Sequence, residues 1–263
     1  MTRTIRHTFA CVLAIAASAV LVRAQQAPGR GGSPPTSRAA APVDLTGVWV
    51  SVISEDWRWR MIRPARGDYA SVPLTAEARA IADAWDPAKD EATGEQCRSY
   101  AAPAIMRVPG RVRISWQDDD TLKVETDAGT QTRLFQFQRP DAQALNASTA
   151  PPAWQGFSIA RWEPQPGPST GGRAGGTTAI TRSLQVVTSR IRPGYLRKNG
   201  VPFSGNTVVT EYYDTWRDPS GQWLTVMTVV RDPQYLRQPF VTTTDFKKEP
   251  DASKWDPTPC QAR

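Results

Sequence analysis

From Asp44 onward the chain alternates between apolar and polar positions. In RVRISW (111–116), Val112, Ile114 and Trp116 stand against Arg111, Arg113 and Ser115; in TLKVET (121–126), Leu122 and Val124 stand against Lys123 and Glu125. A period of two places neighbouring side chains on opposite faces of a strand. The two segments, joined by the polar QDDD, therefore predict a hairpin. Further strands are expected at 47–54, 133–138, 183–191, 207–216, 223–231 and 241–247. The run YYDTW-RDPSG-QWLTV reads as a second hairpin, with a five-residue connection containing Pro219 and Gly221. Only LTAEARAIADAW (74–85) has helical character, with Thr75 as its N-cap and Glu77 in the first turn. Two stretches interrupt the pattern, 139–153 and the Gly/Pro-rich 163–179. Both are expected to be insertions between strands, the second mobile. The chain has no internal repeat.

The first 43 residues have a different character. Arg3, Arg6 and His7 precede an apolar run from Phe9 to Val22 that is too short to span a bilayer, and VRA (22–24) ends in a small residue. This is the pattern of a cleaved signal peptide over 1–24. Residues 25–43, rich in Pro, Gly, Ser and Ala, predict a disordered tether, and 44–263 a single β domain in the periplasm or secreted. Removal of 1–24 takes away the only histidine, His7, and lowers the formal net charge from +7 by three arginines to +4. That mild excess has no dense basic stripe, so nucleic acid is not an expected partner. Cys97 and Cys260 remain. In an exported chain two cysteines predict a disulfide.

Without histidine, Ser-His and Cys-His nucleophiles and His-based zinc sites are excluded. GxxxxGK[ST], GxGxxG and clustered calcium loops are absent, so no cofactor or metal is expected; Asp118, Asp119 and Asp120 read as a polar turn. Glu211, inside the apolar VVTEYYDTW with Tyr213 beside it, is the candidate acid or base, because burial raises a carboxyl into the working range. Its alternative role is to face water or to pair with an arginine on a neighbouring strand. Glu163 reads as a rim residue. Trp57, Trp59, Trp154, Trp162 and Tyr212 are candidate walls of an apolar pocket. In an extended EDWRWR (55–60), Trp57 and Trp59 share one face and Arg58 and Arg60 the other. Arg107 and Arg133 are candidates to hold an anionic group bidentately.

A long antiparallel sheet manages its edges most completely by closing, and Gly47 and Trp49 in DLTGVWV (44–50) resemble the Gly-x-Trp on the first strand of lipocalin-like barrels. The fold expected is therefore all-β, a single antiparallel lipocalin-like barrel with one short helix and long loop insertions; a two-sheet sandwich is the alternative. The landmarks LTGVW (45–49), PLTAEA (73–78), PAIMR (103–107), WQGFSIARWE (154–163), GVPFSGNTVVTE (200–211) and DPQYLRQPF (232–240) resemble those of a family of exported, functionally uncharacterised bacterial proteins with a calycin-type barrel. The resemblance implies fold and export. Arg161 replaces that family's glycine before Trp162, and the Gly/Pro-rich stretch replaces its following strand. Three functions follow: binding of an apolar or amphipathic small molecule inside the barrel; a carboxylate- or tyrosine-dependent lyase, isomerase or hydrolase in the same cavity; or an envelope interaction protein. The oligomeric state is not legible.

Overall fold

The computed structural model describes residues 35–138, 149–163 and 183–263. The first stretch contains β1 (Gly47–Val52), α1 (Trp57–Arg60), α2 (Ala76–Asp83), α3 (Pro87–Ala92), β2 (Arg111–Trp116), β3 (Thr121–Thr126) and β4 (Gln131–Phe137), with 3-10 turns at Gln96–Tyr100 and Ile105–Arg107. After it come β5 (Phe157–Trp162), β6 (Leu184–Ser189), β7 (Gly194–Arg197), β8 (Val201–Phe203), β9 (Val208–Asp218), β10 (Gly221–Arg231) and β11 (Phe240–Glu249). Nine strands close in the order β1-β11-β10-β9-β6-β5-β4-β3-β2, and β7 pairs with β8 in a separate ribbon. The expected all-β barrel is present. The helices number more than the one expected: besides α2, capped by Thr75 as read from the sequence, there are α1 and α3.

A closed ring with an odd number of strands cannot be antiparallel throughout. Here the exception is β4 against β5, which run parallel from Phe135↔Ser158 to Phe137↔Ala160. A parallel pair needs a long crossover, and residues 138–156 supply it. The first interruption in the sequence pattern is thus a topological requirement. Residues 139–148 of it lie outside the described residues, as do 164–182, where the mobile insertion was expected, and 1–34, where the signal peptide and most of the tether were expected. The end of that tether, 35–43, is described and rests on the barrel. The backbone N–H and hydroxyl of Ser37 donate to Asp120 Oδ1 at 2.8 and 2.7 Å, and Trp162 Nε1 donates to the Ser37 carbonyl at 3.1 Å.

Gly47 and Trp49 explain each other. Gly47 has φ 125°, and a Cβ there would lie 2.8 Å from Lys248 Cε. The lysine stem crosses close above the glycine and brings its ammonium 5.1 Å from the centre of the Trp49 ring. Trp49 is fully buried, and its indole N–H donates to the Leu45 carbonyl at 3.0 Å. Around it pack Val112, Ile114, Leu122, Val124, Phe135, Tyr213 and Phe246, the inward residues of the alternating strands. A second cluster joins one end of the barrel to α2 and the β7–β8 ribbon through Ala78, Ala82, Phe203, Val209, Val230 and Phe240. The β9–β10 hairpin is tighter than expected: Asp218 pairs with Gly221, so only Pro219 and Ser220 form the turn. Cys97 and Cys260 are bonded, with Cα atoms 5.1 Å apart.

Candidate functional site

Candidates read from the sequence come together inside the barrel and at its mouth. Inside, β4 turns Arg133 inward in line with Phe135 and Phe137, and β9 turns Glu211 inward between Val209 and Tyr213. Both charged side chains have no exposure at all. Arg133 grips the carboxylate with both terminal nitrogens, Nη1 to Oε1 at 2.9 Å and Nη2 to Oε2 at 2.5 Å. It also donates to Thr188 Oγ1 at 3.2 Å and Tyr213 Oη at 3.4 Å, and Tyr213 donates to Glu211 Oε1 at 3.3 Å. Glu211 thus pairs with an arginine, though across the barrel interior and not on an adjacent strand. Burial opposes the guanidinium's charge, but Glu211 outweighs it and raises the Arg133 pKa. Chemically this is a sealed ion pair. An acid or base must reach its substrate, and neither Glu211 nor Tyr213 touches solvent.

Burial, and after it the charge of Glu211, raises the Tyr213 phenol well above its usual value. The folded protein therefore keeps this proton at a pH where unfolded tyrosines release theirs, near pH 10. Below about pH 10 both states hold the proton and stability is unaffected; as pH rises above that value, the unfolded state gains and stability falls. Tyr213→Phe should make this alkaline loss shallower, measured as unfolding midpoints between about pH 8 and pH 11. An equally steep loss in the variant would show that Tyr213 does not titrate as its burial requires.

At the mouth, a cleft of about 170 Å³ opens between the segments 59–64, 104–109 and 196–198. The first segment follows α1. Extended geometry was expected for EDWRWR; instead Asp56, at φ 53°, starts a helical turn in which its carbonyl accepts the amides of Trp59 and Arg60. The turn leaves Trp57 60% exposed, half-buries Trp59 and sends Arg60 inward. Arg60 donates to Glu55 Oε1 at 2.8 Å and to the Arg107 carbonyl at 3.1 Å. Arg107, from the 3-10 turn, donates to Asp56 Oδ2 at 2.9 Å. Arg197, at the end of β7, lies 4.7 Å from the Trp59 ring centre and donates to the Ala70 carbonyl at 2.8 Å and Ser71 Oγ at 2.9 Å. Three arginines within a few residues' width of one another are costly to bury. Burial and the neighbouring Arg107 push the Arg197 guanidinium down to about 10; burial also lowers Arg60, against the pull of Glu55.

The residues read from the sequence as one pocket are dispersed. Trp59 and Arg107 line the mouth cleft, and Trp57 lies on the same short helix, outside it. Trp162 packs tilted against Phe137, ring centres 5.4 Å apart, and Phe137 in turn against Trp116, at the end of the barrel where the tether docks. Trp154 lies under Arg192, 4.0 Å from its ring centre. Tyr212 points outward, its hydroxyl accepting from Gln185 Nε2 at 2.9 Å. These residues do not come together as one pocket; Trp49 and Phe135 belong to one cluster of buried side chains inside the barrel. Arg60, Arg197 and Lys198 belong to the cleft and escaped the sequence reading, because no local pattern joins three separate connections.

No family model matches the chain, and neither a curated protein nor a solved structure matches it. The resemblance drawn from the landmark segments therefore rests on those residues alone. Several of them have structural work that accounts for their chemistry. Asp232 accepts from Ser204 Oγ, Thr207 Oγ1 and the amides of Gln234 and Tyr235, so two landmark segments are pinned to each other at the barrel end.

Proposed function

We propose that the protein is an exported barrel that binds a small amphipathic molecule in the mouth cleft rather than in the barrel interior. The cleft carries this reading. It combines an aromatic wall, Trp59, and an apolar lip, Met61 and Ile62, with guanidinium groups in its floor. A few convergent polar groups among apolar walls are the usual make-up of a small-molecule site. Its volume is comparable to a cavity known to admit a benzene-sized group, so the ligand is small or places only one end inside. Export rests on the N-terminal sequence pattern and fits the Cys97–Cys260 bond, which belongs to oxidising compartments. An acid–base enzyme at Glu211 and Tyr213 has their contact in its favour, but the ion pair with Arg133 and the lack of access favour a structural role.

Mass spectrometry of small molecules carried through native purification tests the binding reading. Wild-type protein and Trp162→Ala should retain the same compound, whereas Trp59→Ala should lose it, with affinity weaker by about 1 kcal/mol or more, the scale of an aromatic anchor. Retention that follows Trp162 instead would move the site to the other end of the barrel.

A further inference from the structure

The floor of the mouth cleft has a property that an apolar pocket does not need. Arg60, Arg107 and Arg197 are each more than nine-tenths buried. Each nevertheless keeps one buried nitrogen without a hydrogen-bond partner among the described residues: Nη2 of Arg60, Nη1 of Arg107 and Nε of Arg197. Buried donors are almost always satisfied, and a charged one left unpaired is costlier than a neutral one. Three in one floor make a cluster, not an isolated lapse. Two of the three have a carboxylate in contact, Glu55 for Arg60 and Asp56 for Arg107. Arg197 has only a carbonyl and a hydroxyl. At the level of direct contacts these three buried arginines are one negative charge short of balance; Arg63 and Lys198, which also line the cleft, donate to Gln261 Oε1 and to the Tyr100 hydroxyl.

The backbone supports the same reading. Asp56 and Ser71, which hold Arg107 and Arg197, both have positive φ, 53° and 63°. Such conformations cost energy outside glycine and persist where the surroundings over-determine them. The arginines are thus held in place at some expense, by groups that leave one donor of each uncommitted.

We propose that the cleft receives the single negative charge of an organic acid, its carboxylate held by Arg60, Arg107 and Arg197 and its apolar body lying along Trp59, Met61 and Ile62. The inference rests on the reading of the cleft as a small-molecule site and specifies the ligand's chemical class. Guanidinium groups suit it because they offer planar, paired donors to carboxylate oxygens. The unpaired nitrogens have no contact with water in this conformation, so the head group reaches them as the lip yields. Met61 and Ile62, on the cleft's rim, are 61% and 58% exposed.

Titration calorimetry with matched acid and amide pairs, phenylacetate against phenylacetamide and hexanoate against hexanamide, tests the proposal on the unmodified protein. The acid of each pair should bind about tenfold tighter or more, the scale expected of a buried charge-assisted contact. Arg197→Gln should remove that advantage, bringing the acid-to-amide affinity ratio close to one. Equal binding of acid and amide, both weakened by Trp59→Ala, would keep the cleft as a binding site and overturn its preference for an anion. Acid binding that survives Arg197→Gln in full would place the anion elsewhere. Phenyl phosphate binding about tenfold tighter than phenylacetate would overturn the single charge. Failure of both pairs to bind at millimolar concentration would overturn the binding reading itself. Should Arg197→Gln not fold, the acid-to-amide ratio on wild type still decides.

Discussion

Cys260→Ser should lower the unfolding free energy by about 4–5 kcal/mol and let the C-terminal strap come off the barrel. The bond joins positions 163 residues apart, and in the loop-entropy model a closed loop of that length restricts the unfolded chain by about this amount. The strap has other attachments, among them Arg63 donating to Gln261 Oε1 at 3.3 Å and the buried Ala262. The Thr258 amide donates to the Asp127 carbonyl at 2.9 Å, and Thr130 Oγ1 donates to the Thr258 carbonyl at 3.0 Å. Trp255 lies under Arg113, 4.7 Å from its ring centre. At its other end the bond anchors the 3-10 turn that carries Arg98 and Tyr100, and Tyr100 closes over Gly129, where a Cβ would come within 2.3 Å of its ring. Guanidinium unfolding of oxidised wild type and of the variant measures the effect. The variant should also show a steeper dependence on denaturant, because its unfolded state is free to expand. Equal midpoints would mean that the bond constrains nothing beyond what the fold already holds. Oxidised wild type should take up no alkylating reagent at either cysteine, whereas a fully alkylated chain recovered from an oxidising compartment would remove the bond altogether.

The barrel was legible where inward positions are large and apolar. Arg111–Trp116 and Thr121–Thr126 are the strands that the alternation predicts, residue for residue. β5 escaped because its inward residues are Ser158 and Ala160, while Phe157 and Ile159 face outward; read as hydrophobicity, its alternation names the wrong face. Ser158 is inward for a reason: its hydroxyl lies 2.8 Å from that of Thr188, which accepts from Arg133. The small strand makes room for the ion pair. The pair itself left a trace in the sequence. Extending the period of two back from Phe137 and Phe135 puts Arg133 inside, as extending it back from Tyr213 puts Glu211 inside. Two opposite inward charges in one barrel imply each other.

The mouth cleft left no such trace. Arg60, Arg107 and Arg197 come from three connections, and what turns them toward one another is backbone detail: the helical turn after Asp56, the 3-10 turn at Ile105–Arg107, and the β7–β8 ribbon. None of these has a hydrophobic period. A site built from connections on a scaffold of strands is the common arrangement, and it explains why the fold was readable while its chemistry was not.

Removing Arg133 alone should be far more damaging than removing the whole ion pair. Arg133→Met leaves the Glu211 carboxylate fully buried, with the Tyr213 hydroxyl as its remaining contact at 3.3 Å. Stranding a buried charge in this way costs about 3–5 kcal/mol. The double variant Arg133→Met, Glu211→Leu strands nothing, and replacing a buried pair with apolar residues of similar volume is often neutral or stabilising. Its midpoint should lie within about 1 kcal/mol of wild type. The pair is not ideally satisfied even now, because Arg133 Nε has no hydrogen-bond partner among the described residues, and this favours recovery in the double variant. What the pair contributes is position. β4 and β9 are separated in the barrel by β5 and β6, so the contact ties walls that share no backbone hydrogen bonds, beside the one parallel and shortest pairing of the ring. Hydrogen exchange reads that role separately from stability. In the double variant the amides of β4 and β5 should lose protection relative to those of β9 and β10. A cycle in which the two single costs simply add, with coupling below about 0.5 kcal/mol, would show that the charges act independently and that the bidentate contact does not join the walls.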